Sequence, residues 1–263
     1  MNKNPYLFFN DIVCINLHHR LDKKQISQRI FNILDIDCRF FTVHKHPNGG
    51  IHGCFDSHIQ VIQEAYDKGL DNILVFEDDI KVTPSYSQHQ VEQCVNFMRS
   101  NKDWDIFCLG YMPANTARGS MSDLISASFV NDHIIRFRPF GTQSYCISRK
   151  GMKKVLDSHE EYIGKIHYDH FLVRIKLESY CTVPLLFDQY FCLGSDNDAF
   201  DNYEAFIRRF QCQADTYNLL YKPTLLKYKF HKHRFHCIAC IAMLLVFVSF
   251  IIAISYIKLS IYL

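Results

Sequence analysis

The stretch Asn72-Ile73-Leu74-Val75-Phe76-Glu77-Asp78-Asp79 constrains this chain more than any other. Ile73 to Phe76 is a short apolar run of the kind that forms a buried strand. It stops abruptly in three acidic residues. Three neighbouring carboxylates repel one another unless positive charge sits among them. At the C-terminal end of a buried strand, where ligands of α/β sheets collect, that charge is often a divalent cation carrying phosphates. An acidic turn facing water fits the same local pattern, so the neighbouring segments have to decide.

Asp11 to Leu17 reads as a first buried strand, followed by the basic His18-His19-Arg20. Lys23 to Leu34 reads as a helix with Ile26, Ile30 and Ile33-Leu34 as its apolar stripe. Arg39 to Val43 is a second strand, and Pro47-Asn48-Gly49-Gly50 is turn chemistry. Gly53 to Lys68 is a helix with Phe55, Ile59, Ile62 and Tyr66 on one face, ended by Gly69. The Ile73 strand follows. This strand–helix alternation over the first 80 or so residues predicts an α/β sheet, largely parallel.

Further on, Ser87 to Asn101 is expected to be helical and Trp104 to Gly110 a strand. Tyr111 to Asp123 reads as a loop beside the site. Phe140 to Ser148 is a turn into a strand, followed by a helix from Arg149 to about Leu156. Tyr168 to Glu178 should be a helix, Tyr180 to Val183 a strand, Asp188 to Asp198 a loop, and Tyr203 to Leu220 a polar helix.

With 263 residues there is room for one fair-sized domain or two small ones. A net charge of +2 carries no polyanion signal, so a nucleic-acid partner is not expected. The 11 cysteines have no repeated spacing, which fits a reducing compartment better than a disulfide framework. Met1 to Asn10 lacks the pattern of a cleavable signal. Cys237 to Ile257 is an uncharged, proline-free, predominantly apolar run. As a helix it would be about 31 Å long, close to a hydrocarbon core of about 30 Å. A buried core helix is the competing reading. Lys227, Lys229, Lys232 and Arg234 precede the run and only Lys258 follows. The positive-inside rule then places the long N-terminal part in the cytosol. The expected plan is a catalytic-type domain over 1–221, a basic linker over 222–236, a tail-anchoring transmembrane helix over 237–257 and a short far-side tail over 258–263. Cys237-x-x-Cys240, at the membrane edge, suggests S-palmitoylation rather than zinc. His44-x-His46 has no carboxylate or cysteine pair at a zinc spacing.

Five segments, in order, resemble glycosyltransferase family 25, which includes lipooligosaccharide and procollagen galactosyltransferases. Ile15-Asn16-Leu17-His18-His19-Arg20 resembles its I-N-L-x-x-R opening. Gly53-Cys54-Phe55-Asp56-Ser57-His58 is similar to its G-C-x-x-S-H helix start, and Val75 to Asp79 to its V-x-E-D-D strand end. Gly141-Thr142-Gln143-Ser144-Tyr145 with Ile147-Ser148 looks like its G-T-x-x-Y-x-x-S segment. Pro184 through Gln189 to Ser195-Asp196 is similar to its late P…Q…S-D region. The resemblance covers roughly residues 10 to 200. It implies a GT-A-like, Rossmann-type α/β domain that binds a nucleotide sugar. The implied reaction moves a hexose such as galactose or glucose from a donor, a UDP-sugar by expectation, to a glycan, lipid-linked glycan or protein hydroxyl. It is metal-dependent (Mn2+ or Mg2+) and inverting.

On that resemblance Asp79 is the metal ligand, and Glu77 is a nucleotide contact and second ligand. Asp78 is assignable to either role. Asn16 and Arg20 would help to hold the nucleotide, although Arg20 alone also reads as a surface arginine. Gly53 would let backbone N–H groups approach an anion, or simply cap a helix. Ser57 and His58 are placed beside the site, with a satisfied core histidine as the alternative for His58. An inverting transfer needs a base for the acceptor hydroxyl. Asp169 is the candidate, Asp196 the second choice, and a helix-capping role for Asp169 stays open. Two rivals remain: a membrane-tethered scaffold with the same fold and no activity, and a two-metal phosphate hydrolase.

Overall fold

The computed structural model describes residues 4–112, 128–190, 193, 194 and 196. All of these belong to one unit, Met1–Asn218. The expected loop beyond Met112, the 203–220 helix, the basic linker, the Cys237 to Ile257 run and Cys237-x-x-Cys240 lie outside them. Among the described residues no helix is long and apolar enough to cross a membrane. All cysteines among the described residues are free thiols.

The first third of the chain builds the expected alternation. Strand β1 (Ile12–Leu17) leads to helix α1 (Leu21–Ile33), β2 (Arg39–Val43), α2 (Gly50–Asp67) and β3 (Asn72–Glu77). β1 lies between β2 and β3 and is parallel to both. Parallel pairing brings the ends of β1 and β3 to the same edge, with Ile15 opposite Glu77. β3 is buried from Asn72 to Phe76, as its apolar run requires. Gly69 follows α2 at φ +75°, the left-handed setting that ends helices and favours glycine.

The sheet as a whole is mixed, which corrects the expectation of a largely parallel one. A short β4 (Ile80–Val82) and α3 (Gln88–Ser100) lead to β5 (Ile106–Met112), and β6 (Ser128–Asn131) and β7 (Ile134–Arg136) to β8 (Phe140–Ser148). After α4 (Arg149–Leu156) and α5 (Tyr168–Arg174) come β9 (Ser179–Thr182) and β10 (Phe187–Gln189). The strand order is β2-β1-β3-β8-β5-β9-β7-β6, with β10 joining β4 and β5. β8 is wedged antiparallel between β3 and β5. Local periodicity identifies β8 as a strand but carries no information about its direction. Because β8 runs against β3, its start at Phe140–Thr142 meets the acidic end of β3.

Serine caps set two helix starts: Ser87 accepts from the Gln90 N–H and Ser148 from the Gly151 N–H, both at 3.1 Å. Under the sheet, Phe76 meets Phe31 and Phe187 at ring separations of 5.1 and 5.2 Å. The buried face of α1 also differs from its expected stripe. Lys23, Ser27 and Phe31, spaced four apart, point inward, while Ile33 is 81% exposed. Lys23 and Ser27 at the start of that face meet the acidic turn, while Phe31 further along joins the apolar core and Ile30 packs against its edge.

Candidate active site

A cavity of about 260 Å³ opens at the edge where β1 and β3 end. Its walls include Lys23, Glu77, Asp78 and Asp79 on one side, with Thr142, His167 and Asp169 from the segments around β8 and α5. Ser57, His58, Gly53, Gln189 and Asp196 also line it. Asn16 and Arg20 stand behind this lining. The Asn16 amide donates to Asp78 Oδ2 at 2.7 Å and to the Arg20 carbonyl at 3.2 Å. Arg20 pairs with Asp196 and Asp22 and donates to the Leu193 carbonyl.

The acidic turn is held from beneath. The Ser27 hydroxyl donates to the Asp78 carbonyl at 2.6 Å, and the Tyr190 N–H to the Asp79 carbonyl at 2.6 Å. Asp78 and Asp79 are 8% and 7% exposed. Lys23 supplies the positive charge that the acidic triplet demands. Its Nζ lies 3.3 Å from Asp79 Oδ2, 3.7 Å from Asp78 Oδ1 and 3.3 Å from Asp196 Oδ2. Gln189 donates a further hydrogen bond to Asp79 Oδ2 at 3.0 Å. Asp79 Oδ1 is buried with no hydrogen-bond partner among the described residues.

These surroundings separate the carboxylates. Burial pushes Asp79 up to about 6; Lys23 pulls it back, and Glu77 and Asp78 push it further up. Burial likewise raises Asp78, against the pull of Lys23 and Asn16. The shared Lys23 ammonium does not offset the burial of Asp78 and Asp79. Burial would raise Glu77 too, but His58 and the Thr142 hydroxyl, which donates to it, hold it below its ordinary value. Asp196 also lies below its ordinary value, because Lys23 and Arg20 outweigh its desolvation. Burial opposes the charge on Lys23, and Asp79 and Asp78 more than restore it.

His58 is 1% exposed and stacks on Tyr168 with ring centroids 4.3 Å apart. Its Nδ1 lies 3.0 Å from the Tyr145 hydroxyl, and its Nε2 lies 3.6 Å from Glu77. It is a satisfied buried histidine that also stands behind a site carboxylate. Ser57 donates to the Gly53 carbonyl inside α2. Gly53 is in the first turn of α2, and a side chain there would meet His46 Cβ at 2.8 Å. The missing side chain therefore admits the His46 loop. Asp169 faces the cavity with both oxygens held: Oδ2 accepts from the Gly141 N–H at 3.0 Å, Oδ1 from the His170 N–H at 2.7 Å. Gly141 makes this possible at φ +80°, a setting that L side chains rarely adopt. A carboxylate has about four acceptor positions, so two remain for another donor.

Lys23, Thr142 and Gln189 were not singled out as site residues from the sequence. Thr142 and Gln189 stand in the family-like segments. For Lys23 the only local signal is its four-residue spacing with Ser27 and Phe31. The donor set suits a hard divalent cation in part. Asp79 lines the cavity, its buried Oδ1 has no hydrogen-bond partner among the described residues, and Glu77 lines the same cavity. Among the described residues no group of three or more His, Cys, Asp or Glu is arranged to hold a metal by itself. A cation bound here would take its remaining ligands from phosphate and water oxygens, the habit of Mg2+-like ions.

Residues 48–172 match the family model described as glycosyltransferase family 25 (LPS biosynthesis protein). The chain is 26% identical over 143 residues to the "probable inactive glycosyltransferase 25 family member 3" of Bos taurus, covering 52% of this chain and 20% of that protein. It is 24% identical over 198 residues to procollagen galactosyltransferase 1-A of Xenopus laevis, covering 62% of this chain and 30% of that protein. The chain thus matches less than a third of the length of these relatives. A solved glycosyltransferase involved in glycosylation of the major capsid of PBCV-1 aligns with TM-score 0.42 and 13% identity, over 77% of this chain and 98% of that one.

Proposed function

We propose that this chain, which belongs to glycosyltransferase family 25 through residues 48–172, transfers a hexose from a nucleotide-diphosphate sugar to a hydroxyl acceptor with inversion. The observation that carries this reading is Asp79, which lines the cavity at the end of β3 and whose buried Oδ1 has no hydrogen-bond partner among the described residues. A buried, unpartnered carboxylate oxygen is costly unless a ligand completes it. A divalent cation there, with Asp79 and Glu77 as its protein oxygens, would neutralise charge on a departing diphosphate.

The chain's own residues divide the work. Lys23, Gln189 and Ser27 hold the acidic turn rigid, so Asp79 presents one fixed oxygen. Thr142 and His58 keep Glu77 ionised and oriented for the nucleotide. Asp169, fixed by the Gly141 and His170 N–H groups, takes the acceptor hydroxyl proton as that oxygen bonds to the anomeric carbon. The bond from that carbon to the diphosphate oxygen breaks in the same step, on the opposite face. Asp196 is the weaker candidate for this base, because its two cations stabilise the form without a proton. The hexose, and galactose within it, is supported by the name of the Xenopus relative.

Incubating the purified full chain with a panel of uridine and cytidine nucleotide sugars tests this. Release of nucleoside diphosphate should require Mn2+ or Mg2+ and should disappear with chelator. A second reading, a fold-retaining scaffold without activity, is favoured by the "inactive" designation of the bovine relative. Absence of donor binding by calorimetry across the same panel would select it. For Cys237 to Ile257 we retain the proposal of a membrane anchor with the sheet domain on the cytosolic side. Protease added to intact vesicles should then digest the domain, and protection would reverse the orientation.

A further inference from the structure

Lys23 is out of place on an ordinary helix surface. It is 4% exposed, on a helix whose large apolar Ile33 faces solvent. Its ammonium touches carboxylates from two separate segments, the turn after β3 and the segment at Asp196. Burying an ammonium is costly unless it is fully paired. Among the described residues, the Lys23 ammonium is the one permanent cation in contact with Asp78 and Asp79, while Arg20 is shared between Asp196 and Asp22. Without Lys23 the turn would hold mutually repelling carboxylates with one buried oxygen already bare. The Lys23 ammonium takes one oxygen of Asp79, and the other is buried without a hydrogen-bond partner among the described residues.

We propose that Lys23 is a resident counter-ion of the donor site, which holds Asp78, Asp79 and Asp196 together and competes with the divalent cation for their negative charge. This rests on the reading that Asp79 takes a divalent cation. Lys23 thereby sets how tightly the empty site holds metal. The ammonium keeps affinity low, so that a cation is bound firmly only when it arrives with the phosphates of a donor. Lys23 is a positioning residue in this scheme and forms no bond to the sugar.

The test replaces Lys23 by methionine, which keeps the unbranched length and removes the charge. Mn2+ binding to the full chain is followed by electron paramagnetic resonance, with and without uridine diphosphate. An extra uncompensated carboxylate should tighten Mn2+ binding of Lys23→Met without nucleotide by at least about tenfold. The midpoint of thermal unfolding should rise more on adding Mn2+ in the variant than in the wild type. Equal or weaker Mn2+ binding in the variant would overturn the proposal. If the variant does not fold in chelator, its refolding yield is the readout. Recovery with Mn2+ supports the exchange of ammonium for metal, and aggregation with and without Mn2+ overturns it. If the wild type binds Mn2+ with uridine diphosphate while the variant gains nothing, only the role of Lys23 fails. If the variant gains Mn2+ affinity but neither protein binds uridine diphosphate, Lys23 stands and the donor reading fails. If neither protein binds Mn2+ under any condition, both fail.

Discussion

The two walls of the cavity solve opposite electrostatic problems. On the β1–β3 wall, Asp78, Asp79 and Glu77 crowd beside Lys23, and burial pushes Asp79 up to about 6. On the β8–α5 wall, Asp169 is oriented by two backbone N–H groups from Gly141 and His170. The first wall concentrates more negative charge than its cations neutralise, so it gains from a further cation. The second holds one carboxylate in place with neutral donors and leaves part of its acceptor capacity open. The proposed transfer, with a diphosphate to stabilise on one side and a proton to take on the other, would use this asymmetry. Placing both tasks on one wall would let the metal's charge suppress the base.

The comparison breaks most visibly at Asp169. Asp169→Asn keeps size and hydrogen-bonding shape, so turnover should fall by about 100- to 10,000-fold while donor affinity stays within a few-fold. If donor affinity and stability fell and the rate of bound substrate did not, Asp169 would be a structural cap. Next comes Asp79→Asn, for which steady-state turnover should drop by about 100- to 1,000-fold, the scale of losing one charge-stabilising group. Full activity of this variant in chelator would remove the charge-dense wall from the mechanism.

The same substitution has a pH signature. The fold holds Asp79 near 6 against an ordinary value of 3.8, so it favours the protonated acid. That contribution is present in full below about pH 3.8 and is lost as the pH rises through about 6. Above that, wild type carries a cost of about 3 kcal/mol that asparagine does not. In chelator, denaturant melts should show Asp79→Asn gaining on wild type by up to about 3 kcal/mol between pH 4 and pH 8. A difference independent of pH would mean that Lys23 already satisfies Asp79. Asp196 runs the other way: held below its ordinary value, it contributes stability that is present above the carboxylate range and lost on acidification. The smallest effect is expected at Thr142→Val, which removes the hydroxyl that donates to Glu77. Donor affinity should weaken by about 1 kcal/mol, near fivefold, without loss of the metal requirement. A collapse of Mn2+ binding in this variant would make Glu77 the principal ligand.

The sequence by itself determined the first half of the architecture and the location of the charge. The β1–α1–β2–α2–β3 order follows from local apolar periods and from Gly69. The acidic end of β3 follows from three adjacent letters, and the repulsion among them already demands a cation nearby. What only the tertiary structure decided is which groups answer that demand. Lys23 reaches Asp79 across 56 residues, and Thr142 reaches Glu77 across 65. Asp169 meets Gly141 across 28. The isoleucines of α1 advertised a stripe that the fold used only in part: Ile30 packs on the core, Ile33 faces water, and the start of the inward face is given to Lys23 and Ser27 at the acidic turn. The direction of β8 was equally hidden, since a strand's alternation is the same read either way. Periodicity along the chain specifies which face of an element is buried against something. What that something is depends on long-range pairing, and here it placed a buried ammonium where the local pattern pointed to a metal.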